Sequence, residues 1–300
     1  MKSGLLGRVA KPEYFFQPSQ ILKRLLFSRP SDLPEVVAKL PWGARISVKP
    51  NEVHGRAILR LGVIDLPVSE AIWRTLEIGD IAFDVGANIG YMTSIMAARI
   101  GVNGVVTAFE PHPAVFSRLE KNVQRWNRSG RMGHVDALNV AVSCSEAVGA
   151  LRIPEGDDNE GLARLADGVS DGTIPVNMVT LDRFIDRRRQ IGLLKVDVEG
   201  HEREVLSGAE SLLRERRIRH IIFEEHRNYP TPVAEFLEQM GYAIYQLGMN
   251  FWGPILGRCG GTISTPRREW EPRSMLATCD QRHAELCFRP GGWFALQHRK

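Results

Sequence analysis

The sequence has few cysteines and no long hydrophobic run. Its 300 residues include four cysteines, none of which forms a C-x-x-C pair, and no histidine cluster completes a zinc-binding spacing. No apolar stretch reaches the roughly 18 residues that a membrane-spanning helix needs, and the N-terminus lacks the apolar core of a signal peptide. These absences argue against a disulfide scaffold and a zinc site. They predict a cytoplasmic protein with reduced thiols and no stable membrane insertion.

A strong excess of either charge is also lacking. The 39 basic and 35 acidic residues leave a net charge of +4, and 43% of the residues are hydrophobic. This composition is typical of a globular protein with one substantial core and extensions. The charge alone does not indicate nucleic-acid binding, and we expect none.

Two common phosphate-binding motifs are missing from the most informative stretch, residues 81–101, IAFDVGANIGYMTSIMAARIG. Counted from Gly86, a G-x-G-x-x-G fingerprint would need glycine where Asn88 and Tyr91 stand. A P-loop would need G-K-[ST], which does not follow. A nicotinamide-dependent oxidoreductase is therefore disfavoured, and so is a P-loop enzyme.

What the sequence does contain is an alternation of short apolar runs with helical patterns. The runs predict five main strands: IAFDV, GVVTAFE, ALNVAV, GLLKVDV and IRHIIFEE. An antiparallel pair, GALRI and IPVNMVT, is inserted after the third strand. Strands of this kind between helices form a parallel sheet that is buried on both faces. The predicted fold is a doubly wound, mostly parallel, Rossmann-like α/β domain, whose ligands bind at the carboxyl ends of the strands.

Three segments are predicted. Residues 1–76 form an N-terminal extension with helices and a short strand pair within Arg45–Leu61. Residues 77–248 form the cofactor-binding domain, and residues 249–300 a C-terminal loop and edge strand, with YAIYQL and WFALQ as an antiparallel edge. The stretch ILKRLLF, Ile21 to Phe27, predicts a basic amphipathic helix that either docks on the protein or lies on an anionic membrane surface.

The turn after the first strand suits S-adenosylmethionine, a nucleoside cofactor without phosphate. Gly86 and Gly90 allow a tight turn and close backbone approach. We expect Asp84 to organise the ammonium end of the cofactor, and backbone N–H groups at the helix start to meet its carboxylate. Glu110, at the tip of the second strand, is placed to accept the two ribose hydroxyls. A helix cap for Asp84 and a surface position for Glu110 are the alternatives.

Several motifs, in this order, resemble the FkbM-type S-adenosylmethionine-dependent methyltransferases: DVGANIGYMTSIMA, AFEPHP, NVAVS, VTLD and LLKVDVEGHEREVLSGA. The resemblance covers about residues 76–247 and implies a class I methyltransferase fold and O-methylation of sugars or secondary metabolites. It also implies an adenine site near Asn139 to Val142. The expected cofactor contacts are Asp84, Gly86, Ala87, Asn88, Gly90, Glu110, Pro111, Asn139, Ala141 and Asp197.

Methyl transfer to a hydroxyl needs a group that removes the proton of a poor nucleophile. The candidates lie at the tips of the fourth and fifth strands: Asp197, Glu199, His201, Glu225 and His226. Glu199 as a helix cap and His201 as a solvated residue are the alternatives. The carboxylates could instead hold a divalent metal, but no metal is assigned.

The predicted acceptor is a small molecule or a glycan, and a homo-oligomer is kept open. An N-methyltransferase and a non-catalytic scaffold remain alternatives. The fourth strand ends in D-V-E-G, not in the N/D-P-P-Y-like motif of enzymes that methylate base amines.

Overall fold

The computed structural model describes residues 12–17, 20, 23, 33–153, 164–166, 172–184, 189–259 and 273–297. Apart from Lys23, the helix predicted for Ile21 to Phe27 lies outside these residues. The helices are α1 (Pro12–Phe16), α2 (Val53–Leu61), α3 (Leu66–Thr75), α4 (Tyr91–Ile100), α5 (Pro113–Ser129), α6 (Glu202–Ser207), α7 (Glu210–Arg214), α8 (Pro232–Gln239) and α9 (Gln281–Phe288). The strands are β1 (Val36–Lys39), β2 (Arg45–Val48), β3 (Ile81–Val85), β4 (Val105–Phe109), β5 (His134–Leu138), β6 (Ala141–Val142), β7 (Ala147–Arg152), β8 (Arg164–Ala166), β9 (Thr173–Val179), β10 (Ile191–Val196), β11 (Ile218–Glu225), β12 (Ala243–Asn250), β13 (Gly253–Arg258) and β14 (Arg273–Thr278).

An eight-stranded sheet organises the chain, in the order β13-β12-β14-β11-β10-β3-β4-β5. The five strands from β11 to β5 are parallel neighbours, whereas β14 pairs antiparallel with both β11 and β12. Strands linked through helices pair in parallel because the crossover returns the chain to the same end of the sheet. The predicted doubly wound α/β fold is confirmed.

Alternation along the strands divides the core between the two faces of the sheet. Phe83 and Val85 pack in the cluster that contains helices α6 to α8, while Ala82 belongs to the cluster that contains α3, α4 and α5. Residues from all three predicted segments contribute to this second cluster. Asp84 and Lys195 alternate in step with Ala82 and Leu193, and they are paired in register on the adjacent strands β3 and β10. Two charged side chains therefore lie side by side in the interior.

Local sequence signals define both ends of helix α5, which follows strand β4. The His112 side chain accepts a hydrogen bond from Val115 N, proline occupies the first turn, and Gly130 ends the helix in a left-handed conformation. Its apolar residues recur every three or four positions and bury one face: Val115, Leu119, Val123 and Trp126. The helix thus begins three residues after Glu110, at the carboxyl edge of the sheet.

Three predicted strands are corrected. ALNVAV is not one strand of the main sheet: β5 ends at Leu138, and β6 pairs with β9 in a separate four-stranded sheet of order β6-β9-β7-β8. The N-terminal strand pair is β1 with β2, and Val53–Leu61 is a helix. WFALQ forms turns around the buried Trp293, and β13 and β14 supply the antiparallel strands beside β12. The antiparallel pairing of β7 with β9 is confirmed.

A buried ion pair on α3 holds the C-terminal segment. The Glu70 carboxylate accepts hydrogen bonds from Arg74 Nε at 2.6 Å and from the backbone N–H groups of Phe294 and Ala295. Arg74 donates its remaining hydrogen bonds to the carbonyl oxygens of Cys287, Pro290 and Gly292. The side chains of the pair are 1% and 0% exposed. Both carboxylate oxygens and four of the five guanidinium N–H groups therefore have hydrogen-bond partners within the protein.

Within the described ranges, no helix combines the length and the apolar character needed to cross a membrane. Among the same residues, no group of three or more histidine, cysteine or acidic side chains is arranged to hold a metal ion.

Candidate functional site

A cavity of about 350 Å³ opens at the carboxyl ends of the parallel strands. Turn residues after β3, β4 and β10 line it on one side, and α2 and the start of α3 on another. Leu151 and Leu165 of the small sheet add apolar surface. Ligand pockets in doubly wound folds form at this edge because the loops diverge there to opposite faces of the sheet.

The glycine turn after β3 is set by close packing of two strand tips. Gly86 has φ of +78°, and a Cβ atom there would lie 1.9 Å from the carbonyl oxygen of Asp197. Gly90 has φ of +91°, and its Cβ would meet Leu119 and Trp126 of helix α5. Glycine is therefore required at both positions by conformation and by space. The Gly86 backbone faces the cavity, whereas Gly90 lies behind it.

Glu110 follows β4 and is almost completely buried at the cavity wall. Its two carboxylate oxygens accept hydrogen bonds from Asn88 N and His112 N, both at 2.9 Å. Burial raises the pKa of Glu110 to about 7, and these two hydrogen bonds oppose the shift. The carboxylate thereby joins the turn after β3 to the start of α5 and keeps acceptor capacity toward the cavity.

Lys195 links two carboxylates at the floor of the site. Its Nζ lies 3.1 Å from Asp197 Oδ2 and 3.5 Å from Asp84 Oδ1. Burial by itself would lower the pKa of Lys195, but Asp197 and Asp84 raise it above its ordinary value. Asp84, which also accepts a hydrogen bond from Thr93 Oγ1, is fully buried and does not line the cavity. Asp84 therefore lies behind Lys195, and its direct contact with the cofactor stays a prediction.

The loop after β10 presents Glu199 and His201 to the cavity. Glu199 has φ of +54°, and its Oε2 lies 3.3 Å from Nη2 of Arg164. His201 Nε2 lies within 3.0 Å of the Ser143 hydroxyl, and burial lowers the pKa of the imidazole. A neutral imidazole with a hydroxyl partner at the rim of a cavity is equipped to accept a proton near neutral pH.

On β11, the acidic residue at the cavity is Glu224 and not its neighbour Glu225. Glu224 lines the cavity, whereas Glu225 lies on the opposite side of the strand. There the Glu225 carboxylate accepts a hydrogen bond from Arg227 N at 2.9 Å. His226 is exposed and outside the cavity lining. Because adjacent strand residues face opposite ways, Glu225 does not line the cavity, and its catalytic role stays a prediction.

Asp65 and Tyr91 were missed by the sequence analysis. Asp65 caps helix α3 by accepting a hydrogen bond from Val68 N, and it lines the cavity. The Tyr91 hydroxyl accepts a hydrogen bond from Ile64 N at 3.0 Å, which fixes the loop that carries Asp65. The D-L-P signature of a helix start was available as a signal for Asp65, but nothing local indicates that this helix start meets the strand tips.

Most of the predicted set is brought together. The cavity is lined by these predicted residues: Gly86, Ala87, Asn88, Glu110, Pro111, Ala141, Asp197, Glu199 and His201. Asp84, Gly90, Asn139 and Glu225 do not line it. Asn139 instead donates hydrogen bonds to the carbonyl oxygens of Glu110 and Pro111, at 2.8 and 3.0 Å. It therefore positions a cavity residue without lining the cavity itself.

Comparisons with known proteins indicate which family this chain resembles. A family model described as the methyltransferase FkbM domain matches residues 84–244, more than half of the chain. The chain is 34% identical over 179 residues to the 31-O-demethyl-FK506 methyltransferase FkbM of Streptomyces tacrolimicus, covering 50% of this chain and 67% of that protein. It is 29% identical over 180 residues to the hexuronic acid methyltransferase AglP of Haloferax volcanii, covering 59% and 67%. Among solved structures it is distantly similar to the methyltransferase FkbM from Methylobacillus flagellatus, with 14% identity, a TM-score of 0.44 and coverage of 74% and 53%.

Proposed function

The chain belongs to the FkbM family of S-adenosylmethionine-dependent methyltransferases, and on that premise we propose that it methylates a hydroxyl oxygen on a sugar, a glycan or a hydroxylated secondary metabolite. The observation that carries the proposal is that Glu110, the turn after β3 and His201 line one cavity. A carboxylate that suits a diol and a histidine whose pKa is lowered by burial therefore belong to the same site. Two curated relatives support the acceptor class by their names, which mention 31-O-demethyl-FK506 and hexuronic acid.

The residues of the cavity fit S-adenosylmethionine. Glu110 supplies carboxylate acceptors for a pair of hydroxyls, and it lies next to backbone that approaches closely because Gly86 has no side chain. Apolar surface from Phe109, Val140 and Leu151 suits a flat heterocycle. Asp197 lines the same cavity and supplies a further carboxylate. When bound, the cofactor supplies a methyl group on a sulfonium sulfur, which is a good leaving group.

The work left to the protein is to position the acceptor and to remove its proton. His201 is the best-placed base: its imidazole is neutral near pH 7, and Ser143 Oγ orients it from 3.0 Å. Asp197 and Glu199 are less suited because each is already paired with a cation, Lys195 and Arg164. On this account the acceptor proton moves to His201, and Asp197 and Lys195 keep the floor of the site in place.

The test has two parts. Calorimetry with S-adenosylmethionine measures whether the folded protein binds the cofactor, and absence of binding would favour a scaffold. Incubation with S-adenosylmethionine and a panel of hydroxylated sugars, glycans and macrolides, followed by mass spectrometry, detects the gain of one methyl group. A methyl group that is bound to oxygen and resists hydrolysis supports the proposal. Methylation of amines only would favour the alternative, an N-methyltransferase of a small molecule.

A further inference from the structure

The proposed methyl transfer leaves two acidic residues of the cavity wall without a role. Glu224 projects from the last residues of β11, and Asp65 from the helix start of α3, so that they approach the same cavity from different elements. Neither carboxylate has a cation of its own among the ion pairs of the described residues, whereas Asp197 is paired with Lys195. The cavity itself defines the site, where Glu224 is half-buried and Asp65 is exposed, and both add to its negative charge.

The surroundings of Glu224 are predominantly negative. From β10 and the following loop it faces Asp197, Glu199 and the buried cation Lys195, and from α3 it faces Asp65. From β14 its register partner is the uncharged Ser274, while Arg273 lies opposite Glu225. Lys195 lies between Asp84 and Asp197. Its charge lowers the pKa of Glu224 but does not outweigh the effects that raise it. Burial raises the pKa of Glu224 to about 8, and Asp197 and Asp65 add to the shift.

Resting on the proposed function, we propose that Glu224, assisted by Asp65, carries a proton in the free protein and releases it when a positively charged ligand enters the cavity. Carboxylates that line one cavity disfavour each other's ionised form, and an incoming cation removes that penalty. The wall therefore recognises the positive charge of S-adenosylmethionine. The uncharged sulfur of the product, S-adenosylhomocysteine, lacks part of that attraction, which favours exchange of product for cofactor.

The number of protons released on cofactor binding tests the inference directly. Binding of S-adenosylmethionine is followed by calorimetry at pH 7 in two buffers of different ionisation enthalpy, which gives the number of protons released. Glu110 also titrates near this pH, so the informative quantity is the difference between variants. Wild-type protein is expected to release about 0.5–1 proton more per bound cofactor than Glu224→Gln, and more with S-adenosylmethionine than with S-adenosylhomocysteine. Asp65→Asn is expected to reduce the release partially.

Glu225→Gln is the matched control, because it changes the same residue type one position along the same strand but on the other side. It is expected to release as many protons as the wild type. Equal proton release by wild type and Glu224→Gln would overturn the inference. An equal loss of proton release in Glu224→Gln and Glu225→Gln would overturn it as well.

A second measurement does not need the cofactor. Infrared difference spectra of the free protein at pH 7 are expected to contain a protonated-carboxyl band that Glu224→Gln removes and Glu225→Gln keeps. If this band is absent, the inference fails even when the cofactor binds. If the band is present but S-adenosylmethionine does not bind, the proposed function fails and the stored proton remains, so the two failures are distinguishable.

Discussion

Two groups of charged residues in the described part of the chain are built in opposite ways. Around Glu70 and Arg74, both carboxylate oxygens and the guanidinium are matched by partners from the C-terminal segment. At the cavity, Lys195 serves Asp84 and Asp197, while Glu224 and Asp65 face the cavity as an excess of negative charge. The first group is complete within the chain, and the second is not.

The difference separates a structural role from a functional one. A buried charge pair with all its hydrogen bonds made has nothing left to offer a ligand, and removing one partner leaves the other uncompensated. Carboxylates that lack cations at a cavity wall are costly for the free protein, and that cost is reduced by a ligand that supplies the missing groups. Substitutions in the first group should therefore change stability, and substitutions in the second should change binding, catalysis and pH dependence.

The largest effect is expected for Arg74→Met. The Glu70 carboxylate would lose its cation while remaining buried, and three carbonyl oxygens of the C-terminal segment would lose their donor. We expect a loss of about 3–5 kcal/mol in the free energy of unfolding, measured by denaturant titration. Arg214→Met is the control, because its pair with Glu210 is largely exposed, and it should change stability by less than about 0.5 kcal/mol. A loss below about 1 kcal/mol for Arg74→Met would break the comparison.

His201→Asn should lower kcat by about 100-fold and leave the Kd for S-adenosylmethionine within about 2-fold of the wild type. His226→Asn, on an exposed residue outside the cavity lining, should leave both unchanged. Because burial lowers the pKa of His201, the base stays neutral at neutral pH, and wild-type activity should fall only as the pH drops below the ordinary histidine value. Full activity of His201→Asn would show that the base lies elsewhere.

Glu110→Ala tests how much the cavity carboxylate contributes to cofactor binding. Loss of the carboxylate should weaken cofactor binding by about 1–3 kcal/mol, measured by calorimetry, whereas Glu120→Ala on the exposed side of helix α5 should have no effect. The ionised form of Glu110 is the better hydrogen-bond acceptor, and its pKa is about 7. Cofactor affinity of the wild type should therefore decrease as the pH falls through 7. Unchanged affinity in the variant would mean that the ribose is held by other groups.

The smallest effect concerns Glu224→Gln and the pH dependence of stability. The folded-state pKa of Glu224, about 8, lies above the ordinary glutamate value of 4.5. The stability that the protonated form contributes is therefore present below the unfolded value and is lost as the pH rises through the folded value. Glutamine stays neutral, so the variant should become more stable relative to wild type as the pH rises from 5 to 9. A constant difference in thermal unfolding across this range would contradict the assignment.

The elements next to the cofactor turn were predictable because their signals are local. Gly86 and Glu110 occupy a strand-turn-helix unit whose parts lie close together in sequence, and the apolar runs on either side identify the strands. The third strand was extended wrongly across Asn139, since the apolar pattern of ALNVAV does not show that the chain leaves one sheet at Leu138 and joins another at Ala141. The aromatic WFALQ looks like a strand, but Trp293 fills the core from a turn.

By itself, the sequence determined the doubly wound fold, the cofactor turn and the acidic residue after the second strand, because periodicity, glycine placement and motif spacing act over short distances. Only the tertiary structure decided that Glu224, not Glu225, faces the cavity, that Asp84 lies behind Lys195, and that Asp65 joins them from a helix that precedes the sheet. Those choices depend on which face of each strand is covered by which neighbour, and residues far apart in sequence settle that when the core packs.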